Sequence, residues 1–180
     1  MVKSYKIGLF PGRFQPFTNS HLERILEITH SFPNMKLCIL LGDMGTLNFE
    51  NFLTVEEREK IIETICKTHF LKNVFIRAVK GAYPPEKWAE NVRRAIPDAE
   101  IVFSDNPFVY EPLAKAGLEY RTHCRQGIDG ADLRALPFQH WKEHIPPEEF
   151  DFLCKNDIYE RLQTLSEGGK YPFLRREGEE

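Results

Sequence analysis

Five short apolar or β-branched runs alternate along the chain with segments of helical periodicity, and this alternation constrains the fold more than any other feature. The runs lie at Tyr5 to Phe10, Lys36 to Leu41, Asn73 to Val79, Glu100 to Ser104 and, more weakly, Glu119 to Thr122. Between them Leu22, Ile25, Leu26 and Thr29 recur at helical spacing, as do Ile61, Ile62, Ile65 and Cys66. Strand–helix–strand units of this length cross over right-handedly, which predicts an α/β fold: a parallel, doubly wound sheet with helices on both faces. Ligands of such sheets bind beyond the carboxyl ends of the strands.

Local chemistry marks the helix starts. Ser20 with Glu23 and Thr54 with Glu57 read as Ser/Thr-x-x-Glu capping boxes, while Pro84-Pro85 and Pro146-Pro147 suit first helical turns. After Ser104 the pattern predicts helices at Phe108 to Ala116, Ala131 to Phe138, Pro147 to Cys154 and Ile158 to Leu165. A chain of 180 residues suits one core. Residues 1–166 therefore read as one domain, and 167–180, which carry Gly168-Gly169 and many charges, as a frayed tail.

Lys and Arg number 24 against 27 Asp and Glu, a formal net charge of -3 that gives no field to attract nucleic acid or an anionic membrane. Neither is expected as a partner, and any phosphate site must be local. Cys38, Cys66, Cys124 and Cys154 form no CxxC pair and no His/Cys cluster at metal-ligand spacing, so they read as buried free thiols and no protein-held metal is expected. No run could span a bilayer and the N-terminus lacks a signal-peptide core; the expected location is the cytoplasm. The absence of a GxxxxGK run argues against a P-loop enzyme.

The densest chemistry lies in GLFPGRFQPFTNSHLERI, residues 8–25, where a strand ends, Gly and Pro shape a loop, and a helix begins at about Ser20. Unpaired N–H groups and the positive end of a helix dipole favour an anion at such a corner, and Gly12 lets the backbone approach it. Arg13, Thr18 and His21 add side-chain donors. Transfer at a phosphorus needs positioning and charge stabilisation more than a protein nucleophile, and these groups can supply both.

GRFQPFTNSHLERI closely resembles the first signature of the HxGH nucleotidyltransferase superfamily, in the GRFQPF form of the archaeal-type nicotinamide-mononucleotide (NMN) adenylyltransferases. ENFLTVEER at 50–58 resembles that family's ENPFTxxER, FSDNPFV at 103–109 its SGNP segment, and IDGADLR at 128–134 its second signature, ISGTEIR. The resemblance implies a single Rossmann-like nucleotidyltransferase fold and transfer of AMP from ATP, accompanied by Mg²⁺, to NMN or a similar phosphate-bearing small molecule. It places Thr18 and His21 at the phosphates, Arg134 at the β- and γ-phosphates, and Arg125 upstream as a further arginine. Gly12 and Phe14 of the first signature, Gly42 as a close-approach glycine, and Asp129 and Gly130 of the second signature fall on the nucleotide side. Trp88 matches an aromatic that stacks on nicotinamide and Asn106 an NMN-recognition position; a core Trp and a turn Asn are the structural alternatives. A homo-oligomer is also implied.

The chain departs from the signatures at Ser20, which replaces the glycine of HxGH, and at Asp129 and Ala131, which replace Ser and Thr. Asp129 either faces the triphosphate, where like charges repel, or caps the helix that begins near Gly130, or coordinates the Mg²⁺ that accompanies the nucleotide. Two alternatives follow: a relative with another acceptor, such as a phosphopantetheine or polyol phosphate, and a nucleotide-binding regulator with reduced turnover.

Overall fold

The computed structural model describes residues 4–123 and 127–166. Cys124, Arg125 and the tail 167–180 lie outside them. The chain forms two compact units, one from the described parts of Met1–Arg13, Arg24–Gly45 and His69–Arg125, the other from those of Phe14–Glu23, Thr46–Thr68 and Gln126–Glu180.

The first unit holds the sheet. Its strands are β1 (Ile7–Gly12), β2 (Lys36–Asp43), β3 (Val74–Lys80), β4 (Ala99–Phe103) and β5 (Glu119–Arg121), in the order β3-β2-β1-β4-β5. Every pairing is parallel, as the alternation predicts. Successive side chains of a strand point to opposite faces. Leu9, Cys38, Leu40 and Val102 pack with Ala89 and Val92 of α3 (Pro85–Ala95) and Leu113 of α4 (Pro107–Lys115). Phe103, one residue on from Val102, meets instead the ring of Phe32 at 5.6 Å, just after α1 (Asn19–Ser31). Both faces are thus covered. The strand order reverses between β1 and β4, and that switch point is where an open parallel sheet leaves a crevice at its carboxyl end.

The second unit is helical. It contains the first turn of α1, then α2 (Val55–Thr68), α5 (Gly130–Arg134), a 3-10 helix at Phe138–Glu143, α6 (Pro147–Lys155) and α7 (Ile158–Ser166). Trp141, fully buried, packs against Phe52 and Phe138 with ring centroids 5.8 and 5.3 Å away, and its Nε1–H donates to the Leu136 carbonyl at 3.2 Å. The box at α2 forms as expected: the Thr54 amide donates to Glu57 at 2.8 Å and the Glu57 amide to the Thr54 hydroxyl at 3.2 Å. Arg161 grips the same carboxylate with two bonds of 2.7 and 2.9 Å. Burial pushes the Glu57 carboxyl up, but these bonds outweigh it and hold it below its ordinary value.

Three expectations need correction. The segment Ala131 to Phe138 is not one helix, because Pro137 lacks an N–H and disfavours helix at the residue before it; α5 stops at Arg134 and the 3-10 helix starts at Phe138. The box at α1 uses different residues from Ser20 and Glu23, as described below. Of the thiols, Cys38 is buried and pushed up to about 12 and Cys66 is half-buried and pushed up to about 11, whereas Cys154 is exposed because it follows the core-facing Leu153 by one residue on α6. Among the described residues no helix is long and apolar enough to cross a membrane.

Candidate functional site

In the second unit, residues 14–21 form a loop running into the start of α1. Thr18 caps that helix: its carbonyl accepts from the His21 amide at 3.0 Å and the Leu22 amide at 3.2 Å. His21 returns the favour of a capping box, its Nδ1 accepting from the Thr18 amide at 2.8 Å, with the Thr18 hydroxyl 3.0 Å from the same nitrogen. Ser20, already inside the first turn, has no need to cap. Because Nδ1 accepts from a backbone N–H, neutral His21 carries its proton on Nε2, which makes that nitrogen a donor. The ring is held between Phe14 and Phe17, at 5.0 and 5.4 Å between centroids. Phe14, buried, sits at φ 50°, a left-handed conformation uncommon for an aromatic residue.

Gln15 is the anchor of the loop. Its side-chain amide donates to the Leu53 carbonyl at 2.8 Å and accepts from the Leu53 amide at 2.9 Å, so the GRFQPF and ENFLTVEER segments are tied through one residue. Arg134, buried on α5, donates a guanidinium N–H to the Gln15 carbonyl. Gly130 lies beneath the same carbonyl, since a Cβ there would stand 3.0 Å from its oxygen. The two signatures thereby meet at Gln15. Asp129 is the N-cap of α5, one carboxylate oxygen accepting from the Ala131 and Asp132 amides at 2.8 Å each. Capping, and not an anion turned on a phosphate, is the role this geometry gives it.

In the first unit, Gly12 ends β1 and the exposed Arg13 follows it. Gly42 stands at the neighbouring strand end, where an added Cβ would meet only the Gly12 carbonyl oxygen, at 4.0 Å. Packing against the described residues does not by itself require glycine there. Trp88 on α3 is half-buried and packs against the sheet core. Asn106 is exposed after β4 and caps α4, its side-chain oxygen accepting from the Phe108 amide at 3.0 Å. Arg125 lies outside the described residues. The structure thus brings Phe14, Thr18, His21, Asp129, Gly130 and Arg134 into one unit, and sets Gly12, Arg13, Gly42, Trp88 and Asn106 in the other.

Residues 9–112, more than half of the chain, match the Cytidylyltransferase-like family. The chain belongs to that family. It is 24% identical to a nicotinamide-nucleotide adenylyltransferase of Haloarcula marismortui, over 89% of this chain and 87% of the relative. With nicotinamide-nucleotide adenylyltransferase 1 of Sulfolobus acidocaldarius it shares 28% identity, over 88% of this chain and 95% of the relative. Its fold is like that of a bifunctional NMN adenylyltransferase/ADP ribose pyrophosphatase from Francisella tularensis, solved with AMP and a Mn ion. That match has a TM-score of 0.69 at 21% identity and covers 89% of this chain and 52% of that one, so the chain spans about half the length of the bifunctional protein.

Within this cytidylyltransferase-like chain, the departure at Ser20 has a structural answer. Gly127 adopts φ +83°, and a Cβ placed on it would come within 2.3 Å of the Ser20 hydroxyl oxygen. The side chain that Ser20 adds is accommodated by one that Gly127 lacks. Gly127→Ala is expected to cost about 1–3 kcal/mol from its left-handed backbone alone, with the clash added. Combining it with Ser20→Gly should recover the clash and leave the backbone cost; strictly additive melting shifts would refute the pairing. For the cap, Asp129→Ala should cost about 1 kcal/mol and Asp129→Ser only a few tenths, measured by denaturant unfolding.

Sequence reasoning missed Gln15, Gly127 and Glu149. Gln15 stood inside the quoted motif with no role, because its amide bonds to Leu53, 38 positions away. Gly127 and Glu149 carried no signal, because what each touches is far away in the chain.

Proposed function

We propose that this chain is an adenylyltransferase that moves AMP from ATP to nicotinamide mononucleotide. The observation that carries the reading is the Thr18–His21 corner, locked at a helix N-terminus and tied through Gln15 to the arginine of the second signature. Its resemblance to relatives named for this activity supports it. A phosphate oxygen of the acceptor attacks the α-phosphorus of ATP, a new P–O bond forms, the bond to the bridging oxygen breaks, and pyrophosphate leaves with its electron pair. No protein nucleophile is needed.

The Nε2–H of His21 and the positive end of the α1 dipole stabilise charge on the α-phosphate as it becomes pentacoordinate. Arg134, one of whose guanidinium N–H groups holds the Gln15 carbonyl, is assigned to the β- and γ-phosphates through its remaining donors, and Phe14 and Gly130 of the same unit are assigned to the nucleotide with it; Gly12, Arg13, Gly42 and Arg125 are assigned to the nucleotide on the resemblance alone. Trp88 and Asn106 are assigned to the acceptor. Among the described residues no group of three or more His, Cys, Asp or Glu could hold a metal ion, and one Asp129 oxygen is engaged in its cap. The Mg²⁺ is assigned to the substrate: it would arrive on the triphosphate, whose oxygens together with water would supply most of its ligands.

The test is pyrophosphate release by the purified chain with ATP and NMN, nicotinic acid mononucleotide, a phosphopantetheine, a polyol phosphate or no acceptor. Dinucleotide formation with a pyridine mononucleotide is expected. Release with another phosphate only would identify a different acceptor, and ATP binding without release would favour the regulator.

A further inference from the structure

We propose that Glu149 is a positioning residue for adenylyl transfer: its buried carboxyl holds the Phe17 amide and so fixes the loop that presents Thr18 and His21. The inference deepens the proposed function and rests on it.

Glu149 lies in the first turn of α6 and is completely buried. One carboxyl oxygen accepts from the Phe17 amide at 3.1 Å, and the other has no hydrogen-bond partner among the described residues. Phe17 is itself 1% exposed, so water cannot replace that bond, and an unpaired amide there would carry its full desolvation cost. Just ahead of α6, the His144 carbonyl accepts from the Asn19 amide at 2.8 Å and the Glu143 carbonyl from the Asn19 side chain at 3.3 Å. The segment 143–149 therefore holds the residues on both sides of Thr18. A carboxyl at the start of a helix normally faces solvent; this one is spent on a backbone amide.

Burial favours the protonated form of this carboxyl. Burial pushes it well above its ordinary value, opposed only by the Phe17 amide. Charged groups do stand on every neighbouring element: Glu148 and Asp151 on α6, Glu57 and Arg58 on α2, Arg161 on α7, Lys142 and Glu143 on the 3-10 helix, with His144 and His21 on the tether and loop. None of them offsets the burial. The folded protein thus binds this proton more tightly than the unfolded chain. Its stabilising contribution is complete below the ordinary carboxylate value of 4.5 and is lost as pH rises from there towards the raised folded value.

The experiment compares Glu149→Gln and Glu149→Leu with the wild-type full chain, reading kcat and KM for pyrophosphate release with ATP and NMN, and melting temperature against pH. Glutamine keeps the acceptor for Phe17 and carries no proton to lose. It should stay within about twofold of wild type in kcat, and should lack the loss of melting temperature that wild type shows as pH rises above 4.5. Glu149→Leu, where folded, should lower kcat about tenfold or more with acceptor KM changed less than about twofold. Full kcat in the folded Leu variant would overturn the proposal, as would a Gln variant that loses kcat as wild type would on losing the bond, about tenfold or more, which also decides the matter if Leu does not fold. Should wild type transfer AMP to no acceptor, the functional reading fails by itself; ATP affinity then becomes the readout, and equal affinity in wild type and Glu149→Leu would overturn the role of Glu149 separately.

Discussion

His21→Ala is expected to lower turnover about tenfold to a thousandfold while leaving the protein folded. The size follows from removing one preorganised donor at the phosphorus, worth about 1.4–4 kcal/mol of transition-state stabilisation. The same substitution strips the acceptor from the Thr18 amide, so a second, smaller effect of about 1 kcal/mol on stability is expected. The two can be separated. His21→Glu restores a capping box by supplying a carboxylate at the same position in the first turn, but it offers no donor and sets an anion beside a triphosphate. Melting temperature should recover in that variant and turnover should not. Unchanged pyrophosphate release by His21→Ala would remove the residue from the mechanism.

Arg134→Ala is expected to act twice. Its guanidinium is buried and donates to the Gln15 carbonyl, so its removal leaves that acceptor unpaired at a cost of about 1–3 kcal/mol. Loss of charge-assisted bonds to the outer phosphates should weaken ATP binding by about tenfold to a hundredfold, equivalent to roughly 1.4–3 kcal/mol. Arg134→Lys keeps the charge and loses the fork, so it should recover part of the affinity and little of the stability. Calorimetry at a temperature where all three proteins are folded separates these terms. Equal ATP affinity in wild type and Arg134→Ala would restrict the residue to holding the loop, and an unchanged melting temperature would deny even that.

The position of Asp129 shows how a sequence departure can mislead about function. An aspartate in place of a hydroxyl residue suggests an altered ligand, yet its carboxylate bonds to two amides of its own helix. A residue in a signature is not by that fact turned towards the ligand.

The sequence by itself determined what depends on near neighbours. Period-two and period-3.6 patterns placed all five strands, Thr54 with Glu57 and the prolines at 85 and 147 marked three helix starts, and the Pro11-Gly12 end of β1 followed by Thr18 and His21 marked the loop we propose as an anion corner. Each rests on residues within one turn or one strand of each other, where backbone geometry alone fixes who can touch whom. Tertiary structure decided the rest, because the deciding contacts join residues far apart in the chain. The bond from Arg134 to Gln15 spans 119 positions and that from Glu149 to Phe17 spans 132. Neither spacing has a period to detect. That Glu149 is buried, with its carboxyl pushed towards the protonated form, and is not a solvated charge at a helix start depends on packing around α6, which excludes water from a side chain whose type and neighbours in sequence predict the opposite.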